Sequence, residues 1–405
     1  MEWKEDIAAD FCSSVTDGTH DSPKATINGK KLITSKHLKD GYIDFESAKF
    51  ISEKDYLKVI ERSKVDQFDI LFSMIGTIGN IYRETSPNIE YAVKNMGIFK
   101  MGGNAIRSKW LYYWLKSKEA HAYIYERMAG STQSYLTLDS LRKFPVVYPE
   151  DINDMENIVS ILSSLDRKIE LNNKINADLE EMAQAIFKNR FVDFEPFKDG
   201  KFVDSELGMV PEGWKVGTLG DFCKCLLGGT PSRSKEEYWN GDVNWINSGE
   251  INKFRILEAS EKITELGLSK SATKLLPKKT TVLAITGATL GQVSLLEIDT
   301  CANQSVIGVL ENTEIPYEYI YPFIKDRIEM LIQHQTGGAQ QHINKDNVES
   351  LIFLLPAKNV LENYISLVGP MYKRIESQCF ENLYLSTLRD TLLPRLMSGE
   401  LEVPE

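Results

Sequence analysis

The stretch Trp3-Lys4-Glu5-Asp6-Ile7-Ala8-Ala9-Asp10-Phe11-Cys12-Ser13-Ser14-Val15-Thr16-Asp17-Gly18-Thr19 returns 211 residues later as Trp214-Lys215-Val216-Gly217-Thr218-Leu219-Gly220-Asp221-Phe222-Cys223-Lys224-Cys225-Leu226-Leu227-Gly228-Gly229-Thr230. Seven of these seventeen positions are identical, where unrelated segments share about one. The likeness continues in order. Ile70-Leu71 and Thr77-Ile78-Gly79 match Val282-Leu283 and Thr289-Leu290-Gly291, and Gly130, Gln133, Asp139 and Pro149 match Gly337, Gln340, Asp346 and Pro356. The offset drifts by only a few residues, as small loop changes produce. Twice the offset nearly spans the 405 residues, so the chain reads as two tandem copies. A duplication that merely stabilises a symmetric fold and a pair of related sites in fixed geometry both fit this repeat.

Each copy opens with some 150 residues of mixed pattern. Short β-branched and apolar runs end at turn residues, as in Asp69–Ser73 before Gly76 and Thr281–Ile285 before Gly287. Helical stretches follow, Lys109 to Arg127 in the first copy and Tyr317 to Gln333 in the second. Each copy then closes on a long helix. Ile158, Leu162, Leu165, Ile169, Asn172, Asn176, Leu179, Ala183 and Ile186 alternate steps of four and three, the spacing of a heptad seam. Ile365, Val368, Tyr372, Ile375, Cys379 and Asn382 keep the same rhythm, continued after a small phase shift by Leu385, Leu388 and Leu392, and Pro394 stands near the end. Asn176 and Asn382 correspond, and a polar residue in an apolar seam fixes register at some cost in stability. The simplest packing sets the two helices against each other as an antiparallel pair. A coiled-coil dimerisation element is the plainer alternative.

Charge and composition limit what the chain does by itself. Net charge is −11, with 42% hydrophobic and 26% charged residues, a soluble globular composition. Residues 1–149 carry 21 basic and 19 acidic side chains, net +2, while residues 150–200, 201–356 and 357–405 are net −6, −5 and −2. Affinity for nucleic-acid phosphates comes mostly from Lys and Arg, so any such partner is bound weakly unless another basic subunit helps. No apolar run approaches a membrane span, and the acidic N-terminus has no signal-like apolar core. The five cysteines lack paired spacing and read as buried, reduced thiols in a cytoplasmic protein. No phosphate loop, dinucleotide fingerprint, HExxH or GxSxG is present, nor the Asn-Pro-Pro-aromatic motif of amino-methyltransferases. The five histidines form no metal-ligand spacing.

The second copy carries Leu227-Gly228-Gly229-Thr230-Pro231-Ser232, Tyr238-Trp239, Asn244-Trp245-Ile246, Ala288-Thr289-Leu290-Gly291, Asn303-Gln304-Ser305 and Gly337-Gly338-Ala339-Gln340-Gln341, then Leu355-Pro356. It is preceded by Leu207-Gly208-Met209-Val210-Pro211-Glu212-Gly213-Trp214. This succession, with the repeat and the heptads, resembles the specificity subunit of type I restriction–modification systems over essentially the whole chain. The first copy departs from it: Asp17-Gly18-Thr19-His20 stands in place of the Gly-Thr-Pro-Ser loop, no tryptophan matches Trp239 or Trp245, and Asn95-Met96-Gly97 replaces Asn303-Gln304-Ser305.

The resemblance implies an α+β fold with a pseudo-twofold internal repeat: two tandem α/β target recognition domains alternating with two long conserved helices that pack as an antiparallel coiled coil. Its parts would be a first recognition domain (1–149), a central helix (150–190), a linker (191–212), a second recognition domain (213–356) and a C-terminal helix (357–398). It implies a subunit without catalysis that reads a split, asymmetric target in double-stranded DNA. Two methyltransferase subunits would supply S-adenosylmethionine-dependent adenine methylation, with or without two motor–nuclease subunits that use ATP and Mg. Residues 152–187 as a helix span roughly 50 Å, more than one DNA turn of about 34 Å, so the rods would set the gap between half-sites.

Base reading needs side chains that bond groove edges. In the first domain the candidates are Thr19, His20, Lys24, then Ser35, Lys36, His37, and Ser131, Gln133, Tyr135. In the second they are Thr230, Ser232, Arg233, Lys235, then Asn247, Ser248, Glu250, and Gln340, Gln341, His342. Gly79, Gly291 and Thr289 read as turn formers, and Trp3 and Trp214 as core anchors. A duplicated scaffold without a DNA role, and an enzyme acting alone, are the competing readings.

Overall fold

The structure is a computed structural model that describes residues 1–39, 41–128, 134–333 and 342–403. It divides into two compact units, Met1–Lys168 with Tyr384–Glu405, and Ile169–Leu383. Both long helices, Ile152–Phe191 and Lys358–Met397, contribute a segment to each unit.

Among the described residues, the first unit holds nine strands: β1 (Trp3–Ile7), β2 (Ser14–Asp17), β3 (Lys30–Thr34), β4 (Phe50–Ile51), β5 (Ile70–Ser73), β6 (Ile81–Arg83), β7 (Tyr91–Lys94), β8 (Met96–Lys100) and β9 (Pro145–Pro149). They form a β1–β9 pair, a sheet in the order β2-β8-β5-β6, and a sheet in the order β4-β3-β7 whose β3 and β7 run parallel. The second unit holds β10 (Phe202–Ser205), β11 (Gly208–Pro211), β12 (Lys215–Thr218), β13 (Cys225–Leu227), β14 (Trp239–Ile246), β15 (Glu261–Ile263), β16 (Leu275–Leu276), β17 (Thr281–Ala284), β18 (Val293–Leu295), β19 (Thr300–Ala302), β20 (Val306–Val309) and β21 (Ile352–Leu355). Its pair β12–β21, its sheet β13-β20-β17-β18 and its sheet β15-β14-β19-β16, with β14 and β19 parallel, repeat the first unit's topology. Strand β16 is an addition, as is the β10–β11 hairpin inside the stretch expected as a linker.

The period of two in the strands explains the layering. Side chains alternate between faces, and in β5 Ile70 and Phe72 enter one core with Phe99 while Leu71 enters another with Ile98 and Val93. In β17 Leu283 likewise faces Ile307 and Val309, and Val282 and Ala284 face Val306 and Ile246. The central sheets are therefore buried on both faces, which is why these strands read as short continuous apolar runs. The helix expected over Lys109–Arg127 is instead two, Ala105–Trp114 and Lys118–Arg127. Ser117 starts the second by accepting the Ala120 N–H at 3.1 Å, a helix-initiating cap. Tyr317–Gln333 is one helix, with Pro322 in its second turn.

In the first unit Ile158, Val159 and Leu162 share a core with Leu393, Leu396 and Met397. In the second, Ala183, Phe187 and Phe191 share one with Leu361, Tyr364, Val368 and Tyr372. The helix segments there run antiparallel: Asn172 bonds Asn382, Asn176 bonds Cys379, and Phe187 packs on Tyr364. The expected asparagines form a polar layer. Asn172 Nδ2 donates to Asn382 Oδ1 and to Glu381, each at 2.8 Å, and Asn172 Oδ1 accepts from Gln378 at 3.0 Å. Trp214 is buried among Phe191, Phe194 and Phe197, whereas Trp3 is half-buried against Trp110 and Gly399. All five cysteines are buried free thiols.

Candidate nucleic-acid interface

In each domain a glycine after the first strand of the central sheet lets the chain cross the end of the parallel strand pair. A Cβ at Gly18 would stand 2.7 Å from the Val93 carbonyl oxygen, and one at Gly228 would stand 2.5 Å from that of Ala302. The next residue then bonds that same carbonyl, Thr19 N–H to Val93 and Gly229 N–H to Ala302. Gly18 therefore corresponds to Gly228, not to Gly229, and the sequence pairing is one residue out at this loop. His20 becomes the counterpart of Thr230.

The same shift applies beyond the parallel strand. Asn95 corresponds to Gln304, because His20 Nδ1 lies 3.0 Å from Asn95 Oδ1 and Thr230 Oγ1 donates to Gln304 Oε1 at 2.5 Å. Neither amide was among the sequence candidates. The identity Asn95–Asn303 points to the wrong pair, and Ser305 is the extra residue that hides the right one.

A short 3-10 turn follows the other parallel strand, Ser35–His37 in the first domain and Ser248–Asn252 in the second. Both begin with a reciprocal capping box, Thr34 with His37 and Asn247 with Glu250. His37 is buried, and its Nδ1 accepts the Thr34 N–H at 3.0 Å. Burial, reinforced by Lys36, lowers its affinity for a proton, which suits an accepting ring nitrogen. Glu250 is buried and accepts from the Asn247 N–H, both Ser260 donors and Lys253. Both side chains are spent on holding the turn, apart from the exposed candidates. Ser35 and Ser248 lie half-buried at the turn's start, Ser35 donating to the Asn95 carbonyl at 3.0 Å, and Lys36 is exposed.

The hairpin turn between the central strands closes the edge. Gly76, Gly79, Gly287 and Gly291 all have positive φ, so these are turn residues as expected, and Thr289 sits in the short turn Gly287–Thr289. Leu136 N–H bonds the Met74 carbonyl and Ile343 N–H bonds that of Ile285, which makes Tyr135 and His342 equivalent, both exposed beside the turn. Ser131, Gln133, Gln340 and Gln341 lie outside the described residues. In the first domain Thr34, Ser35, Lys36, Ile75, Gly76, Thr77 and Asn95 line one cavity of about 310 Å³.

The structure thus gathers His20, Ser35, Lys36 and Tyr135 on one edge, and Thr230, Ser248 and His342 on the matching edge. Thr19 accepts the Asp21 N–H, and Lys24 is exposed farther along the loop. In the second domain the loop continues through exposed Ser232, whose carbonyl accepts Trp239 Nε1 at 3.2 Å. Arg233 stacks on Trp239, 3.6 Å from its ring centre, and pairs through two nitrogens with Glu261, which keeps that carboxyl below its usual range. Lys235 donates to Tyr238 at 3.0 Å. Trp245 Nε1 donates to the Gly229 carbonyl at 3.1 Å. These two tryptophans stiffen the second loop. The first loop is braced by a buried carboxylate instead: Asp17 lies 2.9 Å from His20 Nε2 and 2.9 Å from Arg62.

Comparison with known proteins agrees with this duplicated design. A family model for the type I restriction modification DNA specificity domain matches residues 24–181 and again 211–363. The chain is 28% identical over 309 residues to the type I restriction enzyme MjaIX specificity subunit of Methanocaldococcus jannaschii, covering 75% of this chain and 71% of that one. It is 25% identical over 406 residues to the HindI specificity subunit of Haemophilus influenzae, covering 84% and 88%. The crystal structure of a type I restriction–modification S subunit from M. genitalium shares the fold, with TM-score 0.58, 14% identity, and coverage of 98% of this chain and 96% of that one. The chain belongs to the DNA specificity subunits of type I restriction–modification systems, with two recognition domains in tandem.

Proposed function

We propose that each recognition domain reads one half of a bipartite, asymmetric duplex target through the edge described above, while the helices set the gap and dock two methyltransferase subunits. One observation carries this reading. The two edges share a framework of glycine crossing, capped turn and hairpin, and keep Ser35 and Ser248 in common, yet differ at four other side chains they present: His20 against Thr230, Asn95 against Gln304, Lys36 against Gly249, Tyr135 against His342. A scaffold duplicated for stability has no need to vary its exposed loops around a constant frame, whereas base readout does.

The chain itself carries no catalysis in this reading. Methyltransferase partners bring S-adenosylmethionine, and motor–nuclease partners, where present, bring ATP and Mg. No helix among the described residues is long and apolar enough to cross a membrane, and we place the complex in the cytoplasm with its DNA. Co-expression with the methyltransferase subunit, followed by methylation-sensitive sequencing, tests the reading. A bipartite adenine-methylation motif is expected. A continuous motif, or no methylation from an assembled complex, contradicts it, and a complex that protects no duplex favours the scaffold.

A further inference from the structure

Asn95 and Gln304 hold equivalent places at the end of the parallel strand pair, and each is tied down through its side-chain oxygen by the loop opposite. Asn95 has a positive φ of 53°, its N–H donates to the Thr19 carbonyl at 3.2 Å, and its own carbonyl accepts from Ser35. Its main chain is fixed, its side chain is half-buried, and it forms part of the cavity wall with Lys36, Gly76 and Thr77. Gln304 is exposed. His20 is held from behind by Asp17, and its other ring nitrogen meets Asn95 Oδ1, while the Thr230 hydroxyl meets Gln304 Oε1.

A carboxamide oxygen accepts two hydrogen bonds and its nitrogen donates two. With one lone pair taken by the loop residue, each amide keeps one acceptor position beside its N–H donors. That adjacent acceptor–donor pair is complementary to the N6–H and N7 of adenine in the major groove.

We infer that Asn95 and Gln304 are specificity-determining residues, each reading an adenine in its own half-site, and that His20 and Thr230 are positioning residues that hold the amide plane. The inference rests on the proposed reading of duplex DNA by this edge. It explains why the loop partner differs between domains while the amide chemistry does not: a hydroxyl donates to a carboxamide oxygen, and so does the His20 ring when both nitrogens carry hydrogen, Nε2 toward Asp17 and Nδ1 toward Asn95. Holding the amide before DNA arrives also removes part of the ordering cost that a free side chain meets on binding.

The test uses the full chain co-expressed with its methyltransferase subunit in a host without other adenine methylation. Methylomes are compared for wild type, Asn95→Ala, Gln304→Ala and His20→Ala. Preference for adenine at one position of one half-site should fall about tenfold or more in Asn95→Ala, at the strength of a lost bidentate contact. Gln304→Ala should do the same in the other half-site. His20→Ala should loosen the Asn95 position by less, with the second half-site unchanged. Motifs identical to wild type at every position in Asn95→Ala and Gln304→Ala overturn the inference and leave the parent reading standing. A wild-type complex with no bipartite motif removes both. Where a variant abolishes methylation, competition binding of the assembled complex with duplexes changed one base at a time decides. A loss concentrated at one adenine supports the assignment, and a loss equal at all positions overturns it.

Discussion

Arg255 is 4% exposed in the second unit, and its Nη2 donates to Glu180 Oε2 at 2.6 Å. Tyr321 and Lys325 donate to the other oxygen of Glu180 at 2.6 and 2.8 Å. Removing one member strands a buried charge, which costs about 3–5 kcal/mol. Glu180→Gln should therefore lower the thermal midpoint by several degrees, read in an unfolding scan. Burial pushes the Glu180 carboxyl up, but Arg255 and then Lys325 pull it further down, so it titrates below its ordinary 4.5. A carboxylate depressed in the folded state contributes stability that is full above the ordinary range and is lost as pH falls through the folded value. Wild type should thus lose urea resistance below the ordinary glutamate range more steeply than Glu180→Gln, and equal acid slopes would refute this. Glu297, pushed up by burial despite Lys279, works in the opposite sense and is common to both proteins. At the caps, His37→Ala and Glu250→Ala should each cost about 1 kcal/mol and leave every base of the methylation motif unchanged. A changed base would return them to the readers. His37 and Glu250 read as base-contacting candidates because sequence shows residue type and loop position. It does not show that both complete a capping box, which depends on φ/ψ at Thr34 and Asn247.

The helices were legible because heptad spacing is a local, periodic signal. The seam from Ile158 through Asn176 is buried or half-buried as read. Beyond it Ala183 is buried as read, but Glu180, Phe187 and Phe191 are buried where the spacing gives the seam to Leu179 and Ile186, which are half-buried. The cause is tertiary. Phe187 and Phe191 pack on Tyr319 and Tyr364, and Glu180 turns in to meet Arg255, partners distant in sequence. The polar layer separates two kinds of asparagine. Asn172 has its hydrogen bonds met, while the buried Asn176 Oδ1 has no partner. An unmet buried acceptor costs roughly 1–3 kcal/mol. Asn176→Leu should accordingly raise the urea midpoint, and Asn172→Ala should lower it. A fall in both would mean that Asn176 is anchored in a way its contacts do not reveal. Helix length carries its own prediction: one heptad inserted into the Ile152–Phe191 helix, with a matching heptad in Lys358–Met397, should lengthen the methylated motif's spacer and preserve both half-sites. Altered half-sites with an unchanged spacer would refute the ruler.

At the scale of the whole chain the duplication was the strongest signal, because identities such as Trp3–Trp214 and Asp10–Asp221 sit at matching places in the framework, at the start of the outer strand pair and in the short helix that follows it. The loops were the weakest, since one inserted residue near Ser305 and one slip at Gly18 suffice to misalign the residues that face outward. Charge belongs to this scale too, and it separates recognition from affinity. With net −11 overall and only +2 on the first domain, and with Arg62, Lys58, Lys30 and Arg233 each paired with a carboxylate, the chain offers little net positive charge to phosphates. Each phosphate neutralised contributes about −0.9 to the slope of log K against log salt. The purified chain should therefore bind duplex DNA no better than the non-specific range, ~10⁻⁴ to 10⁻⁶ M at physiological salt, with a shallow salt slope. Adding the methyltransferase subunits should steepen the slope and tighten binding to target duplex far more than to scrambled duplex, measured by fluorescence anisotropy across a salt series. Nanomolar, steeply salt-dependent binding by the chain alone would show that it carries its own phosphate clamp, and the division of labour between reading in this subunit and gripping in its partners would be wrong.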